Sequence, residues 1–127
     1  MSATLAQTLQ LISNQPAILG TLSQLNRGIE KESLRCDNNG LLAQSKHPKS
    51  LGSPLTHSKI TTDYSEALLE FITPVQQSVS SCLQTLNDIH SFTFQELAKQ
   101  NELLWQASMP CVLGEEKDIP LAQYGTS

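Results

Sequence analysis

The sequence lacks the features that mark membrane, secreted or disulfide-rich proteins. Charged residues are only 16% of its 127 residues, against about 25% in an average soluble domain. No apolar run approaches the ~18 residues of a membrane span, and residues 1–4 lack the basic start of a signal peptide. The three cysteines include no C-x-x-C pair, so neither a disulfide framework nor a zinc site is indicated. We therefore expect a reduced, cytoplasmic, globular protein of one domain or less, with no membrane partner.

The charge balance and the missing motifs exclude further classes. The chain has 12 acidic residues and 8 Lys plus Arg, a net charge of −4, so we expect no nucleic-acid partner. It contains no P-loop, G-x-G-x-x-G or G-x-S-x-G motif. A phosphate-handling role would therefore have to use metal ions held by carboxylates. The cysteines and His57 and His90 are interpreted as structural residues.

The spacing of apolar residues predicts three helices. Leu5, Leu9 and Ile12 recur at helical intervals, and Pro16 favours the start of a second short helix. A long amphipathic helix is predicted over residues 78–100. The side chains expected on its apolar face are Val79, Cys82, Leu83, Leu86, Ile89, Thr93 and Leu97.

Strands and loops are predicted in the rest of the chain. Residues 27–35 are typical of a strand, and the sequence DNNG at 37–40 predicts a turn after which Leu41 and Leu42 return as a hairpin arm. Residues 43–58 are expected to be loop, and the tail from Leu103 is expected to be loop with two short strands.

Residues 27–35 carry the first candidate site. Alternation places Gly28, Glu30 and Glu32 on one face of the strand. It places the odd-numbered residues from Arg27 to Arg35 on the other face. Glu30 and Glu32 would lie about 6.6 Å apart, where two like charges repel unless a cation separates them. A divalent cation and bulk water are both consistent with this pair, and the residues alone leave the choice open.

Residues 60–73 carry two further acidic candidates. Glu70 has apolar neighbours on both sides, so it is either a buried carboxylate that needs a partner or the polar side of a helix or edge strand. Asp63 is a helix N-cap, a turn residue or a metal ligand. Asp63 and Glu66 imitate a capping box, whereas the flanking residues favour strand, so the pattern leaves helix and strand open.

Five stretches together resemble the motifs of proteobacterial-type glutamate–cysteine ligases. The first motif is RGIEKESLR at residues 27–35. The second is LGSPLTH at 51–57 with ITTDYSEALLEFITP at 60–74, and the third and fourth are SMPC at 108–111 and LAQYGTS at 121–127. They occur in the family's order over residues 15–127.

The resemblance implies an α+β fold. In that family an antiparallel sheet curves into a glutamine-synthetase-like funnel with flanking helices. It also implies that residues 60–73 form strand–turn–strand. Family members are several times longer, so residues 1–127 would be the N-terminal portion of a single catalytic domain, incomplete in this chain.

The resemblance also implies an activity and a site. The family forms γ-glutamylcysteine from L-glutamate, L-cysteine and ATP, the first step of glutathione synthesis, through γ-glutamyl phosphate. Glu30, Glu32, Asp63 and Glu70 fall on its metal-ligand positions, with Mg²⁺ as the expected ion. Tyr64 falls beside the cysteine pocket. No residue is expected to act as a catalytic nucleophile.

Three further expectations follow from this resemblance. The full-length enzyme would be a monomer whose partners are small-molecule substrates, and this chain by itself would be inactive. The alternative is a non-catalytic metal- or ligand-binding module, in which Glu30 and Glu32 are merely exposed.

Overall fold

A computed structural model describes residues 4–123; the last residues of the fourth motif, 124–127, lie outside the described residues. Three α-helices, four strands and two short 3₁₀ segments are present in residues 4–123. In chain order they are α1 Leu5–Ser13, α2 Pro16–Ser23, β1 Glu30–Asp37, a 3₁₀ turn Lys49–Leu51, β2 Ile60–Thr62, β3 Leu68–Ile72, α3 Val79–Ala98, β4 Glu102–Leu104 and a 3₁₀ turn Glu116–Asp118.

Both N-terminal helices form where the sequence predicts them. The Thr4 hydroxyl accepts a hydrogen bond from the backbone N–H of Gln7, and the Gln7 side chain accepts one from Thr4 N–H, which caps α1. Pro16 is the first residue of α2, where its missing N–H costs no helical bond. Neither helix buries a residue against the described part of the chain.

The four strands form one antiparallel sheet in the order β2-β3-β1-β4. Residues 60–73 are therefore strand–turn–strand, as the family resemblance implied, and the capping-box alternative is wrong. The predicted hairpin at the DNNG turn is confirmed only as a single bridge between Cys36 and Leu42. Between residues 103 and 123 the tail contributes to one strand, β4, where two strands were predicted for the tail.

Helix α3 packs on one face of this sheet. A main core cluster lies between them and contains Leu51, Ile60, Leu69, Phe71, Ile89, Leu97 and Leu104. Val79 and Leu83, which the periodicity placed on the apolar face of α3, are exposed in the described chain, so the described residues cover only part of that face. These two side chains lie near the start of α3, whereas the contacts with the strands are made further along.

A second, smaller cluster covers the other end of β1. It contains Cys36, Leu42, Ala43, Ala67 and Cys111. The coarse prediction of an antiparallel sheet with flanking helices is thus confirmed. Among residues 4–123, no helix is both long enough and apolar enough to cross a bilayer.

Candidate functional site

The two faces of β1 have opposite character. Ser33 and Arg35 point to the side covered by protein and are buried, whereas Glu30 and Glu32 point to the other side and are exposed. The sequence did not identify the odd-numbered face as an interior face, because it carries Lys31, Ser33 and Arg35 instead of apolar residues. The even-numbered face is the one with candidate ligands.

Strand β3 adds Glu70 to this open face. Glu70 lies directly opposite Glu32 on β1, and Thr61 on β2 lies opposite Glu70 on its other side. Directly opposed residues of antiparallel strands share a face, with Cβ atoms about 5 Å apart. Glu70 is half-buried, so it is a strand residue on the polar face and neither a core carboxylate nor a helix residue.

Asp63 lies at the end of the same surface. It follows β2 directly and is exposed, and its position continues the alternation that starts at Thr61. Burial raises the pKa of Glu70, and the neighbouring charges of Glu30, Asp63 and Glu32 raise it further. The other three predicted carboxylates are therefore within electrostatic range of Glu70.

The four carboxylates share a surface without surrounding one point. Among residues 4–123, no group of three or more His, Cys, Asp or Glu side chains is arranged to hold a metal ion. Their carboxylate oxygens are the donor type that Mg²⁺ prefers. The donor chemistry thus fits a divalent cation, whereas a closed coordination shell is not provided by these residues alone. The four metal ligands stay a prediction.

Tyr64 projects from the turn between β2 and β3. Its side chain is 73% exposed, while its backbone carbonyl accepts a hydrogen bond from Ala122 N–H at 3.0 Å. The phenol is therefore available at the edge of the acidic face. Its predicted role beside a substrate stays a prediction.

A cleft of about 220 Å³ lies beside Glu32. One of its walls is the loop of the third motif, whose Met109 carbonyl accepts a hydrogen bond from the Trp105 indole N–H at 2.6 Å. The apolar part of the lining includes Leu34 and Leu68. The third motif therefore lies next to the first one in space.

Sequence reasoning missed a buried polar network behind the acidic face. Arg35 is completely buried and forms an ion pair with Glu102 at 2.6 Å. Its other terminal nitrogen donates to the backbone carbonyls of Ser45 and Glu66 at 2.8 and 2.9 Å. Glu66, at 6% exposed, is part of the same network. The one signal for Arg35 was its place on the face of β1 opposite Glu30 and Glu32.

The remaining candidate groups have structural surroundings. His57 Nδ1 accepts hydrogen bonds from the backbone N–H groups of Lys59 and Ile60. The ring of His90 packs edge-on against Phe71 at 4.9 Å. The three cysteines are buried and free, which confirms their predicted burial. Burial raises the pKa of Cys36 and Cys111, which favours the unreactive thiol form.

Comparison with known proteins identifies the family of the chain. Residues 9–127 match the glutamate-cysteine ligase family. The chain is 48% identical over 123 residues to the glutamate–cysteine ligase of Alcanivorax borkumensis, covering 97% of this chain and 23% of that protein. The family model covers most of the chain, and the match to this relative extends along nearly the whole length of the chain.

Two solved structures share the fold. The chain superposes on glutamate–cysteine ligase from Francisella tularensis in complex with AMP with a TM-score of 0.75 and 39% identity, covering 80% of this chain and 20% of that one. A bifunctional glutathione synthetase from Pasteurella multocida gives a TM-score of 0.77 and 34% identity, covering 89% and 15%. The chain belongs to the glutamate–cysteine ligase family, and it spans about a fifth of the length of the curated relatives it matches.

Proposed function

We propose that residues 1–127 are the N-terminal portion of a glutamate–cysteine ligase catalytic domain. The intact enzyme would join the amine of L-cysteine to the γ-carboxylate of L-glutamate with consumption of ATP. The observation that carries this proposal is the gathering of Glu30, Glu32, Asp63 and Glu70 on one open sheet face in a member of this family. Family membership favours this function over a non-catalytic binding module.

The reaction needs no nucleophile from the protein. An oxygen of the glutamate γ-carboxylate attacks the γ-phosphorus of ATP and ADP leaves, giving γ-glutamyl phosphate. The cysteine amine then attacks the acyl carbon, phosphate leaves, and the amine loses its proton. The four carboxylates are the residues of this chain that would hold a divalent cation, for which Mg²⁺ is the proposed ion. When bound, this ion would screen the repulsion between the substrate carboxylate and the phosphates.

The chain's own residues would orient the reactants. Glu30, Glu32 and Glu70 are fixed by strand pairing between β1 and β3, so these three do not depend on a flexible loop, whereas Asp63 lies in the connection that follows β2. Tyr64 would place an aromatic surface beside the cysteine substrate at the end of the acidic face. Leu34, Leu68 and Trp105 would exclude water from the cleft beside Glu32.

The proposal extends to the whole architecture. The antiparallel sheet would continue into a glutamine-synthetase-like funnel, with the acidic face turned inward and α3 outside. We further propose a monomeric, cytoplasmic enzyme with small-molecule partners and no nucleic-acid or membrane partner.

Replacement of Glu70 by Gln in the intact ligase tests the proposed function. The side chain keeps its shape and loses its charge, so we expect turnover to fall by about two orders of magnitude or more and Mn²⁺ binding to weaken. Turnover is measured at saturating substrates, and Mn²⁺ binding is measured by the loss of its free-ion electron paramagnetic resonance signal.

Glu115→Gln is the matched control, since Glu115 is 73% exposed and paired only with exposed Lys117. Its turnover should equal that of the unaltered enzyme. A folded Glu70→Gln enzyme with near-normal turnover and Mn²⁺ affinity would contradict the proposed function. Magnesium-dependent protection from hydrogen exchange at residues 28–34 and 60–72 is expected for the ligase and not for a module without a metal site.

A further inference from the structure

The carboxylate of Glu66 joins three separate parts of the chain. One oxygen accepts a hydrogen bond from the backbone N–H of His47 at 2.8 Å, and the other accepts one from the backbone N–H of Gln123 at 2.8 Å. Glu66 itself belongs to the turn between β2 and β3 and is buried. Both oxygens of this side chain are therefore used, each by a different segment.

The backbone of Glu66 is held as firmly as its side chain. Its carbonyl accepts from the Arg35 guanidinium at 2.9 Å, and its N–H donates to the carbonyl of Pro120 at 2.9 Å. Arg35 is fixed in turn by Glu102 and Ser45. Arg35 thus connects the turn directly to β1, the strand that carries Glu30 and Glu32.

The neighbouring residues of the turn make further bonds to the same C-terminal segment. The Ser65 hydroxyl donates to the Pro120 carbonyl at 2.8 Å and accepts from Ala67 N–H at 3.2 Å. The Tyr64 carbonyl accepts from Ala122 N–H. Residues 120–123, which include the start of the fourth motif, therefore hold the residues that follow Asp63.

We propose that Glu66 is a positioning residue for the carboxylate surface, a role that rests on the proposed function. Its two bonds hold the turn, so that Asp63 keeps its place at the end of β2, within electrostatic range of Glu70. A buried carboxylate is a costly way to fill space, because an apolar side chain of the same volume would avoid its desolvation. What the carboxylate supplies is two fixed acceptors for N–H groups from two loops.

Glu66→Gln in the intact ligase tests this role. The amide keeps one acceptor and places an NH₂ group against the second N–H donor, so one of the two bonds is lost. We expect the Mg²⁺ concentration for half-maximal activity and the Mn²⁺ dissociation constant both to rise about tenfold, the effect of losing one hydrogen bond to a charged group. Amide hydrogen exchange should accelerate at residues 61–67.

Glu115→Gln is again the matched control, with no change expected in either constant. Ser65→Ala loosens the same turn more gently and serves where Glu66→Gln fails to fold; we expect it to weaken Mn²⁺ binding about threefold. A purely structural role for Glu66 predicts a lower melting temperature with an unchanged Mn²⁺ dissociation constant in the folded enzyme, and that result would overturn the proposal.

Glu70→Gln, measured alongside, separates the two proposals. If Glu70→Gln leaves Mn²⁺ binding unchanged, the metal site of the proposed function is wrong and the positioning role falls with it. If Glu70→Gln weakens Mn²⁺ binding while Glu66→Gln and Ser65→Ala bind as the unaltered enzyme does, the positioning role alone is wrong.

Discussion

The ion pair between Arg35 and Glu102 is buried, unlike the surface pairs of this chain, so losing one partner would leave the other charge buried and unpaired. Arg35 is completely buried and the Glu102 side chain is 9% exposed, whereas both partners of the Glu115–Lys117 pair are 73% exposed. Ser45 also donates to Glu102. Removing Glu102 would leave a guanidinium inside the protein without its counter-charge.

We therefore expect Glu102→Ala to destabilise the intact ligase by about 3–5 kcal/mol, the usual cost of breaking a buried ion pair on one side. Guanidinium unfolding, followed by circular dichroism, measures this change. Glu115→Ala should leave the unfolding midpoint unchanged, because exposed pairs contribute little. Equal midpoints for the two variants would show that Arg35 finds other partners.

Residue types alone predicted the acidic candidates but not their supports. Glu30 and Glu32 were identified because a pair of carboxylates on one strand face can be recognised from a short stretch of sequence. Arg35 and Glu66 were not, because their partners are far along the chain: Glu102 is 67 residues from Arg35, and Gln123 is 57 residues from Glu66. Such contacts depend on the packing of the whole fold.

At the scale of elements, α3 and the sheet meet around a histidine. The His90 ring packs against Phe71 of β3, and Phe94 lies next to it on the helix. Burial lowers the pKa of His90 below its ordinary value of 6.5, and the charge of Lys31 on β1 lowers it further. The folded protein therefore favours the neutral imidazole.

This preference predicts a pH dependence. As pH falls through about 6.5, the unfolded chain takes up a proton at His90 before the folded protein does, so the contribution of His90 to stability decreases from pH 7 toward pH 5. His47, whose pKa is lowered by burial and by Arg35, contributes with the same sign. His90→Phe keeps the aromatic contact and should reduce this loss in thermal unfolding between pH 5 and 7.5. An unchanged pH dependence would contradict the prediction.

The elements themselves were predictable to different degrees. Helical spacing located α1, α2 and α3, because each has a continuous periodic pattern and a recognisable start. Residues 60–73 gave conflicting local signals, and only the family resemblance indicated strand–turn–strand. Val79 and Leu83 show the limit of periodicity, which identifies an apolar stripe but not how much of it a neighbour covers.

At the scale of the whole molecule, apolar side chains of the two N-terminal helices are left exposed by the described residues. The large apolar side chains of α1 and α2 with at least 38% exposure are Leu5, Leu9, Leu11, Ile18, Leu19 and Leu22. Neither helix buries a residue within residues 4–123. The antiparallel sheet was predictable at this scale, whereas its closure into a funnel stays a proposal because the relatives are about five times longer.

For the same reason we expect the purified 127-residue chain to be inactive. Under the proposed function it contains a fraction of a catalytic domain, and its exposed leucines should bind a hydrophobic dye such as ANS more strongly than the intact ligase does. The measurement is γ-glutamylcysteine formation from glutamate, cysteine and Mg·ATP, with the intact ligase as control. Product formation by the 127-residue chain would contradict this expectation.

The alternation of the two faces along β1 has a consequence for inherited variation in the corresponding gene. Under the proposed function, a missense change at Glu32 leaves the cell with a normal amount of a poor enzyme. A change at the adjacent codon, Ser33, disturbs the interior instead, and cellular proteases then remove much of the polypeptide. Changes at neighbouring codons would thus cause the same shortage of the thiol product for unrelated reasons. Only cells with the change at Glu32 would respond to extra magnesium.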